Sequence, residues 1–85
     1  SPISFTNNSK NELIKIYEVK LTDLNNTKEK AGTVVLPTSG KKGLFVQTGY
    51  GIIEITKLLF ANGKIIDGKS AINGNKLKLG DKLGK

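Results

Sequence analysis

Ten glycines fall among 85 residues, and the apolar residues between them come in short runs that often alternate with polar ones. Alternation at period two marks strands with one buried face, and glycine-rich punctuation favours tight turns over the long crossovers of a parallel sheet. From Leu13 to Leu21 the apolar set shifts parity, from Leu13, Ile14 and Ile16 to Tyr17, Val19 and Leu21. One long bent strand accommodates that shift through a bulge. Asp23 to Gly32 reads as a loop. Thr33-Val34-Val35-Leu36 reads as a short strand stopped by Pro37, because proline donates no ladder hydrogen bond. The loop Thr38 to Gly43 then leads into Leu44 to Thr48, and Ile52 to Phe60 returns as its partner across a hairpin at Gly49-Tyr50-Gly51, where glycine supplies a positive φ.

Asn62-Gly63-Lys64 predicts a further turn, and Ile65-Ile66 an apolar pair packed beneath the next segment. Asp67 is placed to cap a two-turn helix over Gly68 to Asn73, which Gly74 ends. So short a helix needs tertiary support and acts as a plug. Lys76-Leu77-Lys78-Leu79 predicts a last strand with both leucines on one face. Residues 1–12 are polar without a sustained period and read as a linker or mobile end, with Phe5 its one anchor. The expected fold is all-β: a small OB-like Greek-key barrel of five to six short antiparallel strands over residues 13–85, with one short helix before the last strand.

At 9.2 kDa the chain has room for one module. It lacks cysteine and histidine altogether, so disulfides, thiolate metal sites and imidazole chemistry are excluded. No apolar run approaches the roughly 20 residues of a membrane span, and no signal segment opens the chain. The reading is a soluble, cytoplasmic protein. Methionine is also absent, position 1 included, which reads as a piece of a longer protein.

Fourteen lysines and no arginine face seven carboxylates, for a net charge of +7. Residues 1–30 hold five lysines and four acids; residues 31–85 hold nine lysines and only Glu54, Asp67 and Asp81, so the net is +1 before and +6 after. A field of this sign favours a polyanionic partner, and phosphate contacts need only point charges at suitable spacing. An AT-rich genome would raise lysine without selecting a site, which is the bland alternative. The candidate nucleic-acid-binding residues are Lys41 and Lys42 in one loop, Lys64 and Lys69 flanking the plug helix, and Lys76 and Lys78 with Lys82 at the last strand.

Other motifs carry less. Gly63-Lys64-Ile65-Ile66-Asp67-Gly68-Lys69-Ser70 matches the phosphate-binding pattern G-x-x-x-x-G-K-S. A working version needs a stable helix inside a parallel sheet, whereas Gly74 breaks this one at once and too little chain remains after it. Gly49 and Gly51 lack the third glycine and helix of a dinucleotide site. Glu54, Asp67 and Asp81 sit in a strand, a cap and a turn, with nothing to pair them for acid-base work. Lys15, Lys57, Lys76 and Lys78 alternate with apolar neighbours as solvated residues do. Phe45 and Tyr17 are expected in the core, and Tyr50 at the hairpin tip is equally suited to stacking on a base or to none.

The segments in order resemble the C-terminal domain of bacterial methionyl-tRNA formyltransferase. Leu13-Ile14-Lys15-Ile16-Tyr17 is similar to that family's opening strand, Ala31-Gly32-Thr33-Val34 to its Pro-Gly-Thr-Ile strand, and Gly43 to Ile55 to its glycine hairpin. Ser70-Ala71-Ile72-Asn73-Gly74 and Leu79-Gly80-Asp81-Lys82-Leu83 resemble its helix ending in Asn-Gly and the Pro-Gly-Asp-Arg-Leu after it. The chain departs at Asn62-Gly63-Lys64, where the family often has Gly-Lys-Lys before the helix, at Ala71, which stands for the helix phenylalanine, and at Tyr50, which stands for a turn acid between the hairpin glycines. The resemblance implies an OB-like barrel following a Rossmann-like catalytic domain that formylates initiator methionyl-tRNA with 10-formyltetrahydrofolate. Catalytic residues and cofactor would belong to that upstream domain, none to this segment. The role implied here is to grip the tRNA body, as a monomer, with the family's basic positions carried over to Lys41, Lys64 and Lys76. Two rivals are an accessory barrel of a formyltransferase acting on a folate or nucleotide sugar, and a free-standing single-strand-binding module.

Overall fold

The computed structural model describes residues 4–8, 10–37, 40–61 and 63–84, and of Ser4 and Phe5 the backbone alone. The expected anchoring by Phe5 and the turn residue Asn62 lie outside the described residues, as does part of the 38–43 loop. The chain forms β1 (Ser4–Asn7), β2 (Leu13–Leu21), β3 (Val34–Val35), β4 (Leu44–Thr48), β5 (Gly51–Phe60), β6 (Ile66–Asp67) and α1 (Gly68–Asn73). All pairings are antiparallel, in the order β1-β2-β5-β4-β3, with β6 also on β5. The small all-β barrel with a short helix near its end is therefore present.

β5 organises the sheet. One edge pairs with β2 along most of its length, while β4 takes Gly51 to Ile55 and β6 takes Lys57 and Leu58. β2 bends where the parity shift predicts. Ile16 pairs with Leu58 and Glu18 with Lys57, leaving Tyr17 as the extra residue; Val19 then pairs with Ile55, which leaves Thr56 without a partner. The Thr56 hydroxyl fills the gap by donating to the Glu18 carboxylate at 2.7 Å. Extra residues of this kind sharpen strand twist, and they let a nine-residue strand curl. Tyr17 is half-buried at the bulge, short of the core position expected for it.

The inner face holds Ile14, Ile16, Val34, Leu44, Val46, Ile55 and Leu58, joined by Ala71 of α1 and Leu77 beyond it. Each large side chain among these contributes about 1.5–3 kcal/mol by leaving water. β4 is buried on both faces, because Phe45 packs outward with Val35 and Ile52 beneath Leu24 of the 22–32 loop. Gln47 ties that loop down: its amide donates to Asn26 at 3.0 Å and accepts from the Thr27 N–H at 2.8 Å. The hairpin tip is a two-residue loop, Gly49-Tyr50, since Thr48 pairs with Gly51 and Gly51 holds the positive φ of 147°.

Two expectations need correction. Residues 1–12 are no mere linker, since Ser4–Asn7 form β1 in register with Ile16 to Leu13. Lys76 to Leu79 form no strand. The helix end reaches over them: the N–H groups of Lys76 and Leu77 both point at the Ala71 carbonyl, at 2.9 and 3.4 Å, and Lys78 N–H goes to the Asp81 carboxylate at 2.9 Å. Leu77 is drawn into the core while Leu79 is 56% exposed. The strand-like role passes to residues 80–84. Gly80 and Asp81 bond with Val34, Leu83 with Gly32 and Gly84 with Asn7, and Lys82 bridges Thr33. This segment lies between β3 and the end of β1 and links the two edges of the half-barrel, covering part of each.

Candidate nucleic-acid interface

Two turns bring three lysines, Lys10, Lys76 and Lys78, to one cleft. Between β1 and β2, the buried Asn8 side chain accepts from the N–H groups of Lys10 and Glu12, at 3.0 and 2.9 Å, and its amide donates to the Glu12 carboxylate at 2.7 Å. Asn11 completes the turn at φ 66°, a left-handed conformation that asparagine tolerates better than most residues. Lys10 is thereby held exposed at its tip. The second turn ends α1. Asn75 takes φ 58°, its N–H bonds the Ile72 carbonyl and the Lys76 N–H bonds that of Ala71. This is the Schellman arrangement, so the left-handed residue is Asn75, one beyond the expected Gly74 cap. Lys76 leaves it with its ammonium 5.6 Å from the centre of the Phe60 ring, within cation–π range. Lys10, Lys76 and Lys78 line one cleft here, with Glu12 and Asp81.

The other expected lysines lie elsewhere. Lys64 is exposed just before β6, in a turn whose Gly63 shares a hollow with Leu13, Lys15 and Phe60. Lys41 and Lys42 are exposed ahead of Leu44, whose Cβ lies against Gly68, the neighbour of exposed Lys69. Lys82 is exposed on the closing segment. The structure thus brings Lys76 and Lys78 to one cleft, leaves Lys41, Lys42, Lys64 and Lys69 outside it, and adds Lys10, which charge counting by halves passed over. Asp67 caps α1 by accepting from the Ser70 N–H at 2.7 Å, and that hydrogen bond first, helped by Lys69, holds its carboxyl below the ordinary 3.8. Glu18 is held below 4.5 by the Thr56 hydroxyl first, then by Lys57 and Lys20.

The phosphate-loop pattern dissolves in this setting. α1 has six residues, and a Cβ on Gly68 would collide with the Ile55 carbonyl and come within 2.9 Å of Leu44 Cβ. That glycine serves helix-to-sheet contact and does not open toward a ligand. Phe45 is fully buried and cannot stack on a base, whereas Tyr50 is fully exposed. Among the described residues no group of carboxylates could hold a metal ion.

The fold defines a class of small all-β half-barrels, plugged by one short helix and sealed by a C-terminal segment, with lysine-bearing turns at the rim. More narrowly, the chain belongs to the formyl transferase C-terminal domain family, whose model matches residues 1–76. It is 38% identical over 82 residues to the methionyl-tRNA formyltransferase of Fusobacterium nucleatum, covering 96% of this chain and 26% of that protein. Against the enzyme of that name from Lactococcus lactis subsp. cremoris it is 42% identical over 79 residues, 86% of this chain and 24% of that one. For Halothermothrix orenii the figures are 36% over 78 residues, 88% and 25%. The chain spans about a quarter of the length of the curated relatives it matches.

Proposed function

We propose that the chain is the tRNA-binding C-terminal domain of a cytoplasmic, monomeric methionyl-tRNA formyltransferase. In this reading an upstream Rossmann-like catalytic domain precedes the barrel, which grips the body of initiator methionyl-tRNA electrostatically so that the acceptor end reaches the catalytic site. The observation that carries it is the exposure of all seven lysines expected from charge, Lys41, Lys42, Lys64, Lys69, Lys76, Lys78 and Lys82, on a domain of this family. Exposed ammonium groups neutralise phosphates without reading sequence.

The formyl donor, 10-formyltetrahydrofolate, belongs to the upstream domain. A groove of about 370 Å³ is walled by Val19, Val46, Ile53 and Ile55, and none of the described residues lining it is charged to meet a folate's carboxylates.

Binding of tRNA to the full-length protein, followed against salt, tests the reading. The logarithm of the affinity should fall with a slope of roughly 0.7–0.9 per phosphate contact. Changing Lys41, Lys42, Lys64 and Lys76 together to Glu should abolish most of that slope and raise KM for tRNA. Unchanged turnover in the fourfold variant would favour an accessory barrel of an enzyme with a small substrate.

A further inference from the structure

We propose that the cleft between the β1–β2 turn and the turns after α1 receives one phosphodiester group of the tRNA backbone, held by Lys10, Lys76 and Lys78. This rests on the tRNA-binding reading above and adds to it a defined site and a residue, Lys10, from the part of the sequence that is nearly neutral overall.

Three observations carry it. The first is convergence. Lys10 and Lys76 are 66 residues apart in sequence, yet they share two adjoining hollows, one of about 140 Å³ with Lys78 and Asp81, the other of about 290 Å³ with Phe60. The second is local anchoring. The Lys10 N–H is held by the buried Asn8 side chain, and Lys76 follows the left-handed Asn75 in a helix-ending motif that bonds its own N–H, so both backbones are tied by hydrogen bonds before a ligand arrives. The third is the state of the two acids in the cleft. Glu12 is held by the Asn8 amide, and Asp81 is turned back onto the Lys78 N–H at 2.9 Å. Three ammonium groups against two carboxylates leave one positive charge, which matches the single negative charge of a phosphodiester.

Size chooses the form of the ligand. Sites that enclose small molecules run to roughly 300–1,000 Å³. A cleft of about 140 Å³ is too small to swallow a nucleotide, but it can seat a phosphate whose sugar and base remain outside. Lys76 already covers a face of the Phe60 ring, which leaves backbone contact as the mode of recognition.

The experiment measures tRNA affinity of the full-length protein against salt for the native sequence, Lys10→Ala, Lys78→Ala, Glu12→Gln and Lys20→Ala. Lys20 is exposed and pairs with Glu54, seven residues along β2 from Leu13. At about 3.3 Å per residue it stands roughly 20 Å beyond the cleft end of that strand, about two screening lengths at 0.1 M salt. Lys10→Ala and Lys78→Ala should each lower the slope by roughly 0.7–0.9, with Lys20→Ala unchanged. Glu12→Gln keeps an acceptor for Asn8 and removes a charge, so it should bind tRNA more tightly. Thermal melting of each variant separates loss of a contact from loss of the fold; if Lys10→Ala melts early, Lys10→Gln replaces it. A native slope that Lys10→Ala and Lys78→Ala leave intact would overturn the cleft while the tRNA reading stands. Equal losses in Lys20→Ala would overturn it too, since net charge alone would then account for binding. A native slope near zero would overturn both.

Discussion

Gly68 shows how much depends on one missing methyl group. Its backbone lies against the Ile55 carbonyl and Leu44, which is how α1 comes close enough to β4 and β5 to bury Ala71. Gly68→Ala should therefore cost about 1–3 kcal/mol, as overpacking does in a filled core. For a domain of this size each kcal/mol lowers Tm by about 4–8 °C, which calorimetry would register. A variant that melted with the native protein would mean that the helix backs away freely. Other single residues act through polar groups: Asn8 and Gln47 are both buried, and each satisfies several backbone or side-chain partners at once. Neither stood out in the sequence, because a lone Asn or Gln announces nothing about burial. Lys10 was hidden for a related reason. Its neighbours in the sequence cancel its charge, and its neighbours in space come from the far end of the chain.

Among the elements, those specified by local chemistry were legible. Asp67 as cap, the helix over Gly68–Asn73, the bulged β2 and the glycine hairpin all arise from nearby residues, and all are present. Elements that depend on remote partners were not. β1 holds a single apolar residue, Phe5, among Ser4, Thr6 and Asn7, too short a pattern to mark a strand without the edge that β2 offers it. Lys76 to Leu79 alternates as a strand would, yet the open carbonyls at the end of α1 claim its first N–H groups. The candidate lysines were found by charge, but their grouping awaited the turns that aim them. The cap of α1 carries a pH dependence of definite sign. Asp67 has its folded pKa lowered below 3.8, so its contribution is complete above that value and fades as the pH falls through the lower folded value. Asparagine caps equally well without titrating. Denaturant midpoints should thus fall less steeply below pH 4 in Asp67→Asn than in the native protein. Parallel curves for the two would show that the cap does not couple to folding.

For the molecule as a whole, closure falls to residues 80–84, which stitch β3 to β1. Removing residues 82–85 deletes the Leu83–Gly32 and Gly84–Asn7 bonds together with part-buried Leu83. At about 0.5–1.5 kcal/mol per hydrogen bond and something similar for the leucine, the loss should be about 2–4 kcal/mol. Chemical denaturation would measure it, and a smaller change would show that the half-barrel stands open without its seal. The Gly84–Asn7 hydrogen bond, 2.9 Å long, has one more consequence. It sets Gly84 beside the last residue of β1, three residues and roughly 10 Å from Ser4 at about 3.3 Å per residue. A splice of a few residues from Gly84 back to Ser4, with new termini cut at the fully exposed Tyr50, should therefore give a circular permutant that keeps every strand neighbour it now has.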